Sequence, residues 1–342
     1  MRYLPAAAAA LSLSVISFAT PAGADPIADF YKNRTVNIVV AFPAGGMYGL
    51  TAQLMARHLG KHIPGNPNLV PQYMTGAGGT KAANYVYNAA ARDGSVVSEL
   101  SKDLAVAQRL EPDKVKYDAG KFNYIGRVLP YVAVLMIWHT AGINTVQDLK
   151  TKPLVLGESG KSSHGYAEAM LLNAMAGTKV KVVLGYTGAA PMYQAMESGE
   201  VQARFGAWDS LKSVKRAWLE KKLVTTPLQM GLTRASDLPN VPTMLELART
   251  DEERQMVEVI EAGGPVGWGM QTPPGVPAAR LAALRKAFDA MVRDPEFIAD
   301  AKKRNVEIEP ASGAEVKKAV DRTLAIPAPV VDKLRKIAGF SM

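Results

Sequence analysis

The chemistry most easily read from this sequence is the holding of an anion by main-chain N–H groups. Two glycine-rich stretches carry it, Ala44-Gly45-Gly46-Met47-Tyr48 and Gly76-Ala77-Gly78-Gly79-Thr80. An apolar run from Val36 to Phe42 feeds the first, and Leu50, Leu54, Met55 and Leu59 follow it at helical spacing. The first N–H groups of a helix lack internal partners and carry partial positive charge, so a strand, a glycine turn and a helix start together make an anion site. Leu69 to Tyr73 and Lys81 to Ala91 read as the strand and helix around the second stretch. On neighbouring strands, the two turns would set two helix N-termini at one sheet edge. The simpler alternative for either glycine pair is a tight turn.

The second half repeats the unit. After the strand beginning at Leu154, Gly160-Lys161-Ser162 imitates a nucleotide-binding P-loop, but the glycine required five positions earlier is Val155. What remains is a turn whose Ser162 and Ser163 can hold a smaller anion, with His164 reading as a surface residue and stacking or donation as the alternative. Val180 to Leu184 is the next strand, Gly185-Tyr186-Thr187-Gly188 its loop, and Pro191 suits the first turn of the following helix. Val201 to Phe205 is a further strand. It leads to Trp208, which packs in a core or lines a pocket, and to Asp209, a rim residue. Ser98, Ser101 and Lys102 belong near the first sheet edge. His58 and His62, one helical turn apart, lack further ligands nearby and read as solvated or capping rather than metal-binding.

The elements that must position these loops form an α/β chain in two lobes. Residues 1–24 read as a signal peptide: Arg2, an apolar stretch from Leu4 to Phe18 shorter than the roughly 20 residues of a membrane span, and Ala22-Gly23-Ala24 as the cleavage site. Export to the periplasm with cleavage after Ala24 is expected. The remainder of the 342 residues exceeds one ordinary core. Apolar runs from Tyr124 to Val128 and from Val132 to Trp138, separated by Pro130, suit a crossing between lobes, and Gly263 to Met270 suits the return. The first lobe is then 25–128 with 262–342, and the second is 129–261. The stripe Leu281, Leu284, Phe288 and Met291 reads as core. Without cysteine there are no disulfides, thiol chemistry or cysteine zinc sites. The formal charge of +9 is scattered, with no basic run longer than Lys302-Lys303-Arg304, which favours acidic small ligands over nucleic acid. The dinucleotide fingerprint is incomplete, so no cofactor is expected, and no metal.

At these residues the chain resembles the extracytoplasmic solute receptors of tripartite tricarboxylate transporters, the Bug proteins. The likeness rests on Ala41-Phe42-Pro43-Ala44-Gly45-Gly46, Gly76-Ala77-Gly78-Gly79, Asp93-Gly94, Gly185-Tyr186-Thr187-Gly188, Glu197-Ser198-Gly199-Glu200-Val201, Leu238-Pro239-Asn240-Val241-Pro242-Thr243 and Pro273-Pro274-Gly275-Val276-Pro277, in that order. The resemblance implies a type II-like periplasmic binding fold with two interlobe crossings, each lobe a mixed sheet flanked by helices. It implies a non-catalytic monomer that closes on a carboxylate-bearing solute and delivers it to the membrane permease subunits. It places the carboxylate against N–H groups and hydroxyls at Ala44 to Tyr48 and Ala77 to Thr80. Ser162, Ser163, Tyr186, Thr187, Gly188 and Asp209 complete the expected set from the second lobe, with no arginine. Many members of the family carry an aspartate where this chain has Gly49, and Tyr48 beside it either lines the pocket or packs on its helix. An exported α/β hydrolase is the competing reading, but Gly157-Glu158-Ser159-Gly160 misses the nucleophile elbow by one residue. A cytosolic regulator of similar fold would carry a helix-turn-helix where the export signal stands.

Overall fold

A computed structural model describes residues 25–161 and 163–340. Residues 1–24, read above as a signal peptide, and Ser162 lie outside the described residues. The strands are β1 Thr35–Val40, β2 Asn68–Tyr73, β3 Val96–Glu99, β4 Asn123–Arg127, β5 Ala133–Trp138, β6 Leu154–Glu158, β7 Val180–Leu184, β8 Ala203–Ala207, β9 Val224–Thr225, β10 Gly269–Thr272 and β11 Ala311–Ser312. They form a six-stranded sheet in the order β11-β4-β10-β3-β1-β2 and a five-stranded sheet in the order β7-β6-β8-β5-β9. Both are mixed. β1 runs parallel to β2 and β3, and β6 runs parallel to β7 and β8, while β10 and β5 enter antiparallel.

The sequence explains why these strands lie inside. Ala133 to Ile137 of β5 are fully buried, as expected of a continuous apolar run covered on both faces. Helix Met47–His58 packs on β1 and β2, and helices Ala278–Met291 and Gly313–Leu324 cover β4. In the second sheet, helix His164–Ala176 packs on β7 and β8, and helix Ala189–Ser198 packs on β6 and β8.

Parallel order has a positional consequence. The loops after β1, β2 and β3 leave one carboxyl edge of the first sheet, and those after β6, β7 and β8 leave one edge of the second. Those edges are where ligands bind in open α/β sheets.

Two segments join the sheets and run side by side. The Val128 N–H donates to Trp268 O, Trp268 N–H to Leu129 O and Tyr131 N–H to Gly264 O. Gly267 has φ +55°, and a Cβ there would lie 2.1 Å from Leu129 O, so only glycine lets the two crossings approach this closely. The final helix, Ala328–Ile337, packs on helices Asp251–Glu261 and His164–Ala176, placing Val331 and Leu334 in the core of the second sheet. Residues 262–342 therefore do not all pack with the first sheet.

Candidate functional site

The two carboxyl edges face one another across a cavity of about 90 Å³. Gly46, Ser163 and Gly188, all on its wall, are the N-caps of helices Met47–His58, His164–Ala176 and Ala189–Ser198. None of these N-termini receives a side-chain capping bond. The leading N–H groups of three helices are thus left for whatever enters the cavity. Gly78 joins them at φ +62°, in the kinked turn before helix Thr80–Asn88. The opposing loops are close: a Cβ on Gly45 would meet that of Ala190 at 2.8 Å, and one on Gly188 would meet Pro43 Cδ at 2.4 Å.

Of the residues expected from sequence, Gly46, Met47, Tyr48, Gly78, Ser163 and Gly188 line this cavity. Ala44, Gly45, Ala77 and Thr187 are exposed on the flanking loops, and Gly79 and Thr80 are buried behind Gly78. Tyr186 lies off the cavity and donates its hydroxyl to Glu200. Asp209 is buried beside the wall residue Ser210, with Oδ1 3.2 Å from Lys212 Nζ. Trp208 donates through Nε1 to Asp237, away from the cavity lining. His58 and His62 pair with Asp300 and Asp294.

Tyr48 is a wall residue. Its ring stacks 4.6 Å from Phe42 and its hydroxyl accepts from Lys102 N. Gly49, where the family resemblance leads one to expect an aspartate, has no room for a side chain: a Cβ would lie 2.2 Å from Ala44 O.

Sequence reading undervalued the charged residues. Lys102 and Asp103, both buried after β3, bond to one another at 2.7 Å, and the Lys102 ammonium sits 4.3 Å from the Tyr131 ring centroid. His164 is a buried wall residue rather than a surface one, with Nε2 2.6 Å from Glu168 and 3.7 Å from Glu261, and Nδ1 3.4 Å from Asp103. Burial alone would depress the imidazole, but Glu168, Asp103 and Glu261 outweigh burial and Lys102 and push it up to about 10. Burial pushes Glu261 up to about 8 and Glu158 up to about 7. Asp103 would also rise by burial, but Lys102 and His164 hold it below the carboxylate range.

His164, Glu168 and Glu261 each bring one atom within 4.8 Å of the others, as a cation site would. The raised imidazole and the adjacent Lys102 ammonium also let these groups hold protons among themselves.

Arg204, on β8, lines the cavity at 7% exposure, and the sequence expectation did not include it. Its trace in the sequence is an arginine set inside an apolar strand, Ala203 to Ala207, with a glycine two residues on. Trp268, from the return crossing, is a further wall residue that sequence reading passed over.

Two mixed, helix-flanked sheets joined by paired crossings, with helix N-termini meeting between them, define a solute-binding protein of the periplasmic type. The profile of the tripartite tricarboxylate transporter family receptor matches residues 52–335, and the chain belongs to that family. It is a family of solute-binding receptors rather than enzymes, which leaves the hydrolase reading without support. No curated protein matches the sequence. Among solved structures, the periplasmic binding protein BugD superposes with TM-score 0.72 at 21% identity, over 91% of this chain and 99% of its own. MatC from Rhodopseudomonas palustris with bound malate gives 0.67 at 20%, over 89% and 99%. An R. palustris protein with adipate gives 0.70 at 21%, over 90% and 98%. These likenesses establish the fold. Among the described residues, no helix is long and apolar enough to cross a membrane.

Proposed function

We propose that this receptor captures a small carboxylate-bearing solute between two lobes and hands it to the permease subunits of a tripartite tricarboxylate transporter. The observation that carries the reading is the convergence of three side-chain-uncapped helix N-termini, from both sheets, on one cavity. Each hydrogen bond to a charged group contributes about 1.5–3 kcal/mol, so a few main-chain donors offset the cost of ordering a small anion and reach micromolar binding. The malate and adipate in two of the neighbouring structures point the same way.

In this reading the first lobe comprises residues 25–128 and the segment from 262 into helix Gly313–Leu324. The second comprises 129–261, joined by the final helix, and closure bends the paired crossings. Main-chain groups at Gly45, Gly46, Met47 and Gly78 hold the carboxylate, the Gly79 N–H expected beside them being donated to Gly76 O, and Ser163, Thr187 and Gly188, with Ser162, close on it. The receptor works as a monomer in the periplasm after cleavage behind Ala24.

A thermal-shift screen of the mature chain against mono-, di-, tri- and aromatic carboxylates tests this. A ligand at a hundredfold excess over its Kd adds about 2.7 kcal/mol of stability. A panel in which no carboxylate shifts the transition overturns the proposal.

A further inference from the structure

We propose that Arg204 pairs directly with an anionic group of the solute, so that the cavity selects a dianion over a monoanion of the same length. This rests on the carboxylate-receptor reading and deepens it.

Arg204 is buried, yet its guanidinium makes no hydrogen bond and no ion pair with any described residue, and its Nε is sealed from solvent without a partner. Its guanidinium lies over the Tyr193 ring, with Cζ 5.0 Å from the centroid. A buried cation lacking a counter-ion is among the costliest arrangements in a folded chain. It persists where another molecule supplies the anion. Glu158 is the acidic wall residue whose titration responds to Arg204, but burial keeps that carboxyl protonated to about pH 7, so it is an incomplete partner.

The strand is built around this side chain. Arg204 and Gly206 share one face of β8, and a Cβ on Gly206 would lie 2.9 Å from Arg204 Cζ and Nη1. The absent side chain is the space in which the guanidinium lies. That path leads toward the carboxyl end of β8, where Ala207 and Ser210 line the cavity. On the return crossing, Trp268 lines the same cavity at 1% exposure, and its Nε1 is buried with no acceptor. Guanidinium and indole N–H groups donate and cannot accept, so the group that satisfies both is rich in acceptor oxygens. The helix N-termini provide for one carboxylate, and Arg204 with Trp268 provides for a second.

The test is calorimetry of the mature chain with n-alkanoates and α,ω-dicarboxylates matched in carbon number, for wild type, Arg204→Met and Arg204→Lys. Wild type prefers the dicarboxylate by about 10- to 100-fold, the worth of one charge-assisted pair. Arg204→Met abolishes that preference while keeping alkanoate binding, and Arg204→Lys retains part of it, because an ammonium keeps the charge without the fork. The ligand-free melting temperature supplies a second readout. Removing an unpaired buried cation leaves Arg204→Met as stable as wild type or more so. A wild type without the preference, an Arg204→Met protein that keeps it, or one that melts well below wild type overturns the inference while leaving carboxylate binding intact. A wild type that binds neither series removes the underlying reading as well.

Discussion

Gly188→Ala probes closure. Gly188 caps the helix Ala189–Ser198 in the second sheet's layer, and its neighbour across the cavity is Pro43, in the loop after β1. The added methyl would sit 2.4 Å from Pro43 Cδ and 3.1 Å from Cγ, inside van der Waals contact. The proline ring cannot rotate away, so the loops must stand further apart. Overpacking of this kind costs about 1–3 kcal/mol and is relieved when the lobes open, so it weighs on the bound state; the backbone strain of an alanine at φ +157° is a separate cost common to both states. Affinity for the best carboxylate therefore drops by roughly 5- to 150-fold. Calorimetry reads the drop, small-angle scattering reads a saturated complex less compact than wild type, and the ligand-free melting temperature falls only by the backbone strain at Gly188. Unchanged affinity with an unchanged ligand-induced contraction would refute the idea that these loops meet on closure. A ligand-free protein destabilised as much as the complex would show that the contact is permanent.

Stability should fall as pH rises. His164 keeps its proton to about 10 in the folded chain against an ordinary 6.5, so its contribution is complete below pH 6.5 and vanishes through pH 10. Glu261 and Glu158, raised to about 8 and about 7, also bind more protons folded than unfolded above pH 4.5, so they act in the same direction. Urea midpoints of ligand-free protein should drop from pH 6 to pH 9 with a slope on the order of 1 kcal/mol per unit, and His164→Gln should flatten it. A midpoint that rises with pH contradicts the cluster described above. Gly49→Asp, which introduces the aspartate that the family resemblance implies, should destabilise the chain by about 1–3 kcal/mol, since its Cβ has only Ala44 backbone to occupy; chemical denaturation showing an unaltered midpoint would be inconsistent with that packing. Ser163→Ala should weaken carboxylate binding only a few-fold and Gly46→Val should abolish it, because the main-chain donors survive the first change and are screened by the second; equal affinities in calorimetry would place the anion elsewhere.

Much of the architecture was legible because it is written locally. The run Val36 to Phe42 with its glycines gives β1 and the helix at Met47, and the stripe from Leu281 to Met291 lies on a helix against the core as expected. The paired crossings are as expected too, flagged by Pro130 and Gly263-Gly264-Pro265. The charged interior was not legible, because burial there comes from distant partners. His164 looks like a surface turn beside Ser163 and Gly165 until Asp103 and Glu261 approach it from other segments. Arg204 sits in a strand whose apolar neighbours say only that it is internal, and nothing nearby in sequence says that it lacks a carboxylate. The final helix carries amphipathic periodicity, but periodicity does not say which sheet it covers.

That final helix bears on how the chain is made. The second sheet has all its strands by Thr225, but its core also takes Val331, Leu334, Ala338 and Phe340. A ribosome emitting the amino terminus first must therefore synthesise more of the chain before the apolar side of helices His164–Ala176 and Asp251–Glu261 can be covered. Until then the nascent protein presents a sticky surface to chaperones and proteases. Chains cut short in their last two turns should be cleared rapidly even though every strand is intact.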